Sequence, residues 1–123
     1  MAHIFVVDDE EDILDLVSLI LTKYGYTLTK FKKGQKVHEE ASKNKPDLLL
    51  VDLIMPEITG IDVIKQIRAD SETKNIPIVI FSALGNKERV DEALEAGANM
   101  YLRKPFQINE LVEAIENNLK IKK

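Results

Sequence analysis

The chain has 123 residues, 45% of them apolar and 31% charged, with no cysteine and a net charge of −4. That length suits one domain around one core, and the lack of cysteine excludes disulfides, thiolate metal sites and cysteine catalysis. The 17 basic residues against 21 acidic ones weigh against direct binding of nucleic acid, which requires phosphate charge to be neutralised.

No apolar run approaches the roughly 18 residues of a membrane span. The opening Met1-Ala2-His3 carries neither a basic leader nor a cleavage site. A cytoplasmic protein without membrane contact is expected.

The first apolar run, 4–7 (Ile-Phe-Val-Val), is continuous, as in strands covered on both faces. A helical stripe follows at Ile13, Leu14, Val17, Ile20, Leu21 and Tyr24, and Gly25 is placed to stop it as a C′ residue. Run 26–31 alternates and reads as an edge strand. Segment 34–43 is a weaker helix with few apolar residues, expected to lie shallowly on the sheet. Run 48–51 (Leu-Leu-Leu-Val) is the most continuously apolar and hence the most central strand.

Ile61, Ile64 and Ile67 mark the next helix, and run 78–81 (Ile-Val-Ile-Phe) is again continuous. Val90, Ala93 and Leu94 mark a helix closed by Gly97. Run 100–102 precedes a last stripe at Ile108, Leu111, Val112, Ile115 and Leu119. Lys120, Lys122 and Lys123 then read as a solvated helix end, where cations are favoured. His3 and His38 read as surface residues, and Gly34, Gly60, Gly85 and Gly97 form no phosphate-cradling spacing. The pattern is an α/β chain, (βα)₅, with right-handed crossovers and a doubly wound parallel sheet filling 1–123 as one domain.

In such a sheet the functional crevice lies beyond the carboxyl ends of the strands. Asp8 and Asp9 follow the first strand, Asp52 the third, Ser82 the fourth and Lys104 the fifth. Any one of these acids alone reads as a helix cap or turn residue. Glu10, Glu11 and Asp12 fit that reading as acids in the first turn of a helix. Asp8, Asp9 and Asp52 together do not, because three like charges in one cleft repel unless a cation intervenes.

Mg²⁺ suits an all-oxygen donor set, and the lack of a histidine or cysteine partner argues against zinc. Lys104 adds a positive charge and Ser82 a hydroxyl donor, which together describe a site for a phosphoryl group. A carboxylate can attack phosphorus to give an acyl phosphate. Asp52, after the most central strand, is the candidate nucleophile.

The segments Val-Val-Asp8-Asp9-Glu, Leu-Val-Asp52-Leu-Ile-Met-Pro56-Glu-Ile-Thr-Gly60, Phe-Ser82-Ala83 and Tyr101-Leu-Arg-Lys104-Pro105-Phe resemble the receiver domains of two-component signalling over the whole chain. The resemblance implies a flavodoxin-like sheet of strand order 2-1-3-4-5. It also implies transfer of a phosphoryl group to Asp52 from a phosphohistidine on a sensor histidine kinase or a histidine phosphotransfer protein.

On the same resemblance, Mg²⁺ is held by Asp9, Asp52 and the Ile54 backbone carbonyl, with Asp8 acting through a bound water, and Lys104 holds a phosphoryl oxygen. Ser82 and Tyr101 form a switch pair that reshapes the face of the fourth helix, fifth strand and fifth helix for a downstream protein target or a second receiver. Pro105 is expected to follow a cis peptide bond.

Two positions that tune phosphoryl lifetime in the family are apolar here, Ile54 and Leu84. Neither orients an attacking water, so a long-lived phosphorylated form is expected. Met100 stands where an acid or glycine is common, and no function is attached to it.

A haloacid dehalogenase-like phosphatase shares the Asp, Ser, Lys and Mg²⁺ set. It needs a second Asp two residues past the nucleophile, where this chain has Ile54. A flavin or nucleotide carrier of the same fold would need phosphate-binding glycines or a hydroxyl-rich first loop, not five consecutive acids. A degenerate receiver that signals without phosphorylation would not retain all five site residues. The sequence leaves open a stand-alone regulator or a fragment of a larger protein.

Overall fold

A computed structural model describes residues 2–55, 58–83 and 87–120. Strands and helices alternate along it: β1 (His3–Val7), α1 (Glu11–Lys23), β2 (Thr27–Phe31), α2 (Val37–Lys43), β3 (Leu48–Asp52), α3 (Gly60–Ala69), β4 (Ile78–Ala83), α4 (Lys87–Ala96), β5 (Met100–Lys104) and α5 (Ile108–Leu119). The strands pair in parallel in the order β2-β1-β3-β4-β5, the flavodoxin-like arrangement expected. Pro56, Glu57, Leu84, Gly85, Lys122 and Lys123 lie outside the described residues, and with them the expectations placed on Leu84 and on the last two lysines.

The continuous apolar runs follow from burial on two sides. Phe5, Val7, Leu49, Val51, Ile78 and Ile80 pack under α2, α3 and α4. Ile4, Val6, Leu48, Leu50, Val79 and Phe81 pack under α1 and α5. Successive strand residues point to opposite faces, so a strand covered on both has no position left for a polar residue. Only the alternating β2, at one edge of the sheet, has no buried residue.

Helix ends also follow the sequence. Gly25 and Gly97 take positive φ of 90° and 127°, the left-handed turn that glycine adopts without a steric penalty. Thr59 and Asp62 close a capping box at the start of α3, and Gln107 and Glu110 another at the start of α5. Arg68, near the end of α3, donates to the carbonyls of Gly97, Lys74 and Ile76 at 3.0, 2.8 and 2.7 Å and to Asn99 Oδ1 at 3.0 Å. One side chain thereby ties the end of α3 to the segments that lead into β4 and β5.

Three expectations need adjustment. The helix read at 34–43 is shorter, and its apolar residues Val37 and Ala41 are fully buried. Four residues apart, they share one face and seat α2 more deeply than the sparse stripe suggested. Tyr24 and Ile108 belong to apolar stripes yet are 53% exposed each, because one is the C-cap of α1 and the other the first residue of α5. The histidines are partnered: His3 sits between the hydroxyls of Thr27 and Thr29, and His38 Nε2 lies 2.8 Å from Asp70. No helix among the described residues is long and apolar enough to cross a membrane.

Candidate functional site

The chain leaves β1 for β2 on one side, then returns to place β3 on the other. That reversal opens a crevice beyond the carboxyl ends of β1 and β3. Asp8 is the first residue past β1 and Asp52 the last of β3. Ser82 and Lys104 are delivered by the ends of β4 and β5.

The structure brings these residues together. Asp9, Asp52, Ser82 and Lys104, with Glu10, Ile54 and Ala83, line an open cleft of about 440 Å³. Carboxylate oxygens of Asp8, Asp9 and Asp52 all lie within 4.8 Å of one another. Asp8 is fully buried, Asp52 is 5% exposed and Ser82 is fully buried. Asp9 faces solvent. The Lys104–Pro105 peptide bond is cis, as expected.

Lys104 Nζ donates to Asp8 Oδ2 at 2.8 Å and stands 3.5 Å from Asp52 Oδ2. Backbone amides add further polar contacts. The Glu10 N–H donates to Asp8 Oδ1 at 2.8 Å, and the Ile54 N–H to Asp52 Oδ1 at 3.3 Å.

One ammonium faces a cluster of carboxylates here, and burial weakens the two that it holds as acids. Burial, and then the charge of Asp8, push the Asp52 carboxyl up to about 7 against the opposing pull of Lys104 and the Ile54 amide. Burial also raises Asp8, against its bonds to Lys104 and to the Glu10 amide. Burial alone would depress the Lys104 ammonium, but Asp8 and Asp52 outweigh it and raise it.

A testable consequence follows for the metal-free protein. An unfolded aspartate titrates near about 3.9, so between about 4 and about 7 the folded state holds the Asp52 proton that the unfolded chain has lost. Stability therefore falls as pH rises through that window and stays low above it. Asp52→Asn removes the charge, and by pH 8 it should be more stable than the parent by up to about 4 kcal/mol. The two should converge near pH 4. Urea unfolding in chelator at both pH values measures the difference, and equal stability at pH 8 contradicts the assignment.

Two neighbours of Lys104 are not legible as such in the sequence. Glu10 was read as a first-turn acid, but it is the N-cap residue of α1, and its carboxylate lies 3.4 Å from Lys104 Nζ. Its partner is 94 residues away and is brought near only by sheet order. Phe81 was read as core alone, yet its ring underlies the Lys104 ammonium. Tyr101 stands apart from the cleft, half-buried on the side of the sheet covered by α2, α3 and α4.

Comparison with known proteins gives the family. Residues 4–116 match the family model of the response regulator receiver domain, and the chain belongs to that family. It is 34% identical over 94% of its length to the DNA-binding dual master transcriptional regulator RpaA of Synechocystis, of which it spans 48%. It is 32% identical to sporulation initiation phosphotransferase F of Bacillus subtilis, covering 97% of this chain and 94% of that protein. A solved receiver domain of a sensor histidine kinase from Pseudomonas aeruginosa, with a magnesium ion coordinated in its active-site cleft, superposes with a TM-score of 0.90 at 26% identity, over 97% of this chain and 98% of that one. The chain spans about half the length of the first of these relatives.

Proposed function

We propose that Asp52 is the phosphoacceptor of a two-component relay. The observation that carries this reading is the environment of one carboxylate. Asp52 is buried at the end of a central strand, close to two further carboxylates and 3.5 Å from a lysine ammonium. An Asp52 oxygen attacks phosphorus, the phosphorus–nitrogen bond of a donor phosphohistidine breaks, and the imidazole leaves with a proton from solvent. The donor is a histidine kinase or a histidine phosphotransfer protein.

The donor set fits Mg²⁺. It is all oxygen, it is anionic, and two of its carboxylates are buried, with pKa values raised chiefly by that burial. Asp9, Asp52 and the Ile54 carbonyl would hold the ion, with Asp8 acting through water. The ion supplies charge neutralisation for a phosphoryl group in the cleft. Lys104 binds a phosphoryl oxygen, and the buried Ser82 hydroxyl donates to another. Ser82 and Tyr101 couple the modification to the face of α4, β5 and α5, where a target protein or a second receiver docks.

Incubation with acetyl phosphate and Mg²⁺, followed by intact mass measurement, tests the reading. The parent gains one phosphoryl group, while Asp52→Ala gains none and neither does the parent in chelator. Release of free phosphate without any adduct would overturn it in favour of a phosphatase.

The lifetime of the adduct carries a second expectation. Ile54 lines the cleft and is 47% exposed, and an apolar side chain there would hinder the approach of a water to the phosphorus. The phosphorylated parent should therefore lose its group more slowly than Ile54→Asn, by about tenfold. Equal decay of the two phosphoproteins contradicts the shielding.

A further inference from the structure

We propose that Phe81 is a positioning residue for Lys104. Its ring keeps the ammonium aimed into the cleft after the carboxylates that now hold it have been engaged by a dication. The inference rests on the reading of the cleft as a phosphoryl-accepting site.

The sheet register supplies the geometry. Phe81 pairs with Leu102 and Ala83 with Lys104, so Lys104 rises one step beyond Leu102 on the face that Phe81 shares. That face is the one covered by α1 and α5. Lys104 Nζ lies 4.8 Å from the centroid of the Phe81 ring, over its face. The ring is fully buried and is backed by Phe106 at a centroid distance of 6.1 Å. It is therefore a fixed platform rather than a mobile cover.

Lys104 meets three carboxylates, Asp8 at 2.8 Å, Glu10 at 3.4 Å and Asp52 at 3.5 Å. Two of these belong to the set that would hold a dication, and the third has a side chain 63% exposed, whose hold is weakened by solvent. Repulsion from the dication would push a free lysine outward. The attraction of an ammonium to the negative face of an aromatic ring does not depend on those carboxylates. The ring thus retains the ammonium where a phosphoryl oxygen needs it.

The test compares Phe81→Leu and Phe81→Met with a control, Phe5→Leu. Phe5 is a core phenylalanine, 2% exposed, in the layer on the opposite face of the sheet. Two readings are taken for each: the proton shifts of the Lys104 ε-methylene, with and without Mg²⁺, and the rate of phosphorylation by acetyl phosphate.

In the parent, the ε-methylene protons should be shifted upfield by the ring in both states. Both Phe81 variants should lose that shift and slow phosphorylation about three- to tenfold, while Phe5→Leu keeps both within twofold despite comparable loss of stability. An unshifted ε-methylene in the Mg²⁺-bound parent overturns the proposal, as does equal slowing by Phe5→Leu. If the parent takes no phosphoryl group at all, the function reading fails, and the Lys104 resonances still decide whether the ring holds the ammonium.

Discussion

Gly60→Ala should lower the stability of this protein by about 3 kcal/mol and misplace the phosphoacceptor loop. Gly60 opens α3, and its N–H donates to the Leu53 carbonyl at 3.0 Å. A Cβ built there would stand 2.5 Å from the Asp52 carbonyl oxygen and 2.8 Å from Leu53 Cα. Both are backbone atoms of β3 and the residue after it, so no side-chain rotation relieves the overlap. Either α3 moves off the sheet or the backbone that carries Asp52 shifts.

Core positions resist even small added volume because the interior is close-packed. Urea unfolding measures the loss, and phosphorylation by acetyl phosphate should fall with it, since Asp52 sits on the displaced backbone. A variant as stable and as active as the parent would contradict the close approach.

Removing the cation should have the second large effect, and its two components respond differently to Mg²⁺. In Lys104→Ala, the fully buried Asp8 loses its only charged hydrogen-bond donor among the described residues. Asp52 loses the nearby positive charge. Breaking a buried pair leaves an uncompensated charge, so the metal-free variant should be less stable than the parent by about 3 kcal/mol at pH 8.

Both carboxyls already titrate above their ordinary range, and loss of the lysine raises them further. The deficit therefore shrinks as pH falls and the carboxyls take up protons. Saturating Mg²⁺ should restore most of the stability, because it supplies the missing positive charge. It should not restore phosphorylation, which loses the group bound to a phosphoryl oxygen and slows by at least about tenfold. Recovery of both by Mg²⁺ would mean that the lysine serves only to neutralise charge.

Much of this was readable from residues alone, for a physical reason that differs between elements. β1, β3 and β4 are buried on both faces, so Ile-Phe-Val-Val, Leu-Leu-Leu-Val and Ile-Val-Ile-Phe leave no ambiguity. Because Asp8, Asp52 and Ser82 stand at or just past the ends of these strands, those ends also locate the site. β5 was legible only through Leu102, since Arg103 and Lys104 extend it with residues whose charge reads as loop. The start of β1 at His3 depends on pairing with Thr27 and on Asp47, which accepts from the His3 N–H at 2.7 Å.

What stayed hidden were contacts made across the sheet. Phe81 meets the lysine from β4, which neighbours β5, and Glu10 from the loop after β1, which opens onto the same edge of the sheet. No local pattern around either residue distinguishes it from an ordinary helix acid or core aromatic. Strand order supplies that information, and strand order came from family resemblance rather than from periodicity.

The central claim is that phosphorus becomes bonded to Asp52, and reduction of the acyl phosphate tests it most directly. Borohydride converts a phosphorylated aspartate to homoserine, which peptide mass mapping can place on the chain. After phosphorylation in Mg²⁺, homoserine should be found at position 52, with Asp8 and Asp9 intact. Homoserine at Asp8 or Asp9, or a phosphoryl group that survives borohydride on Ser82, would contradict the account.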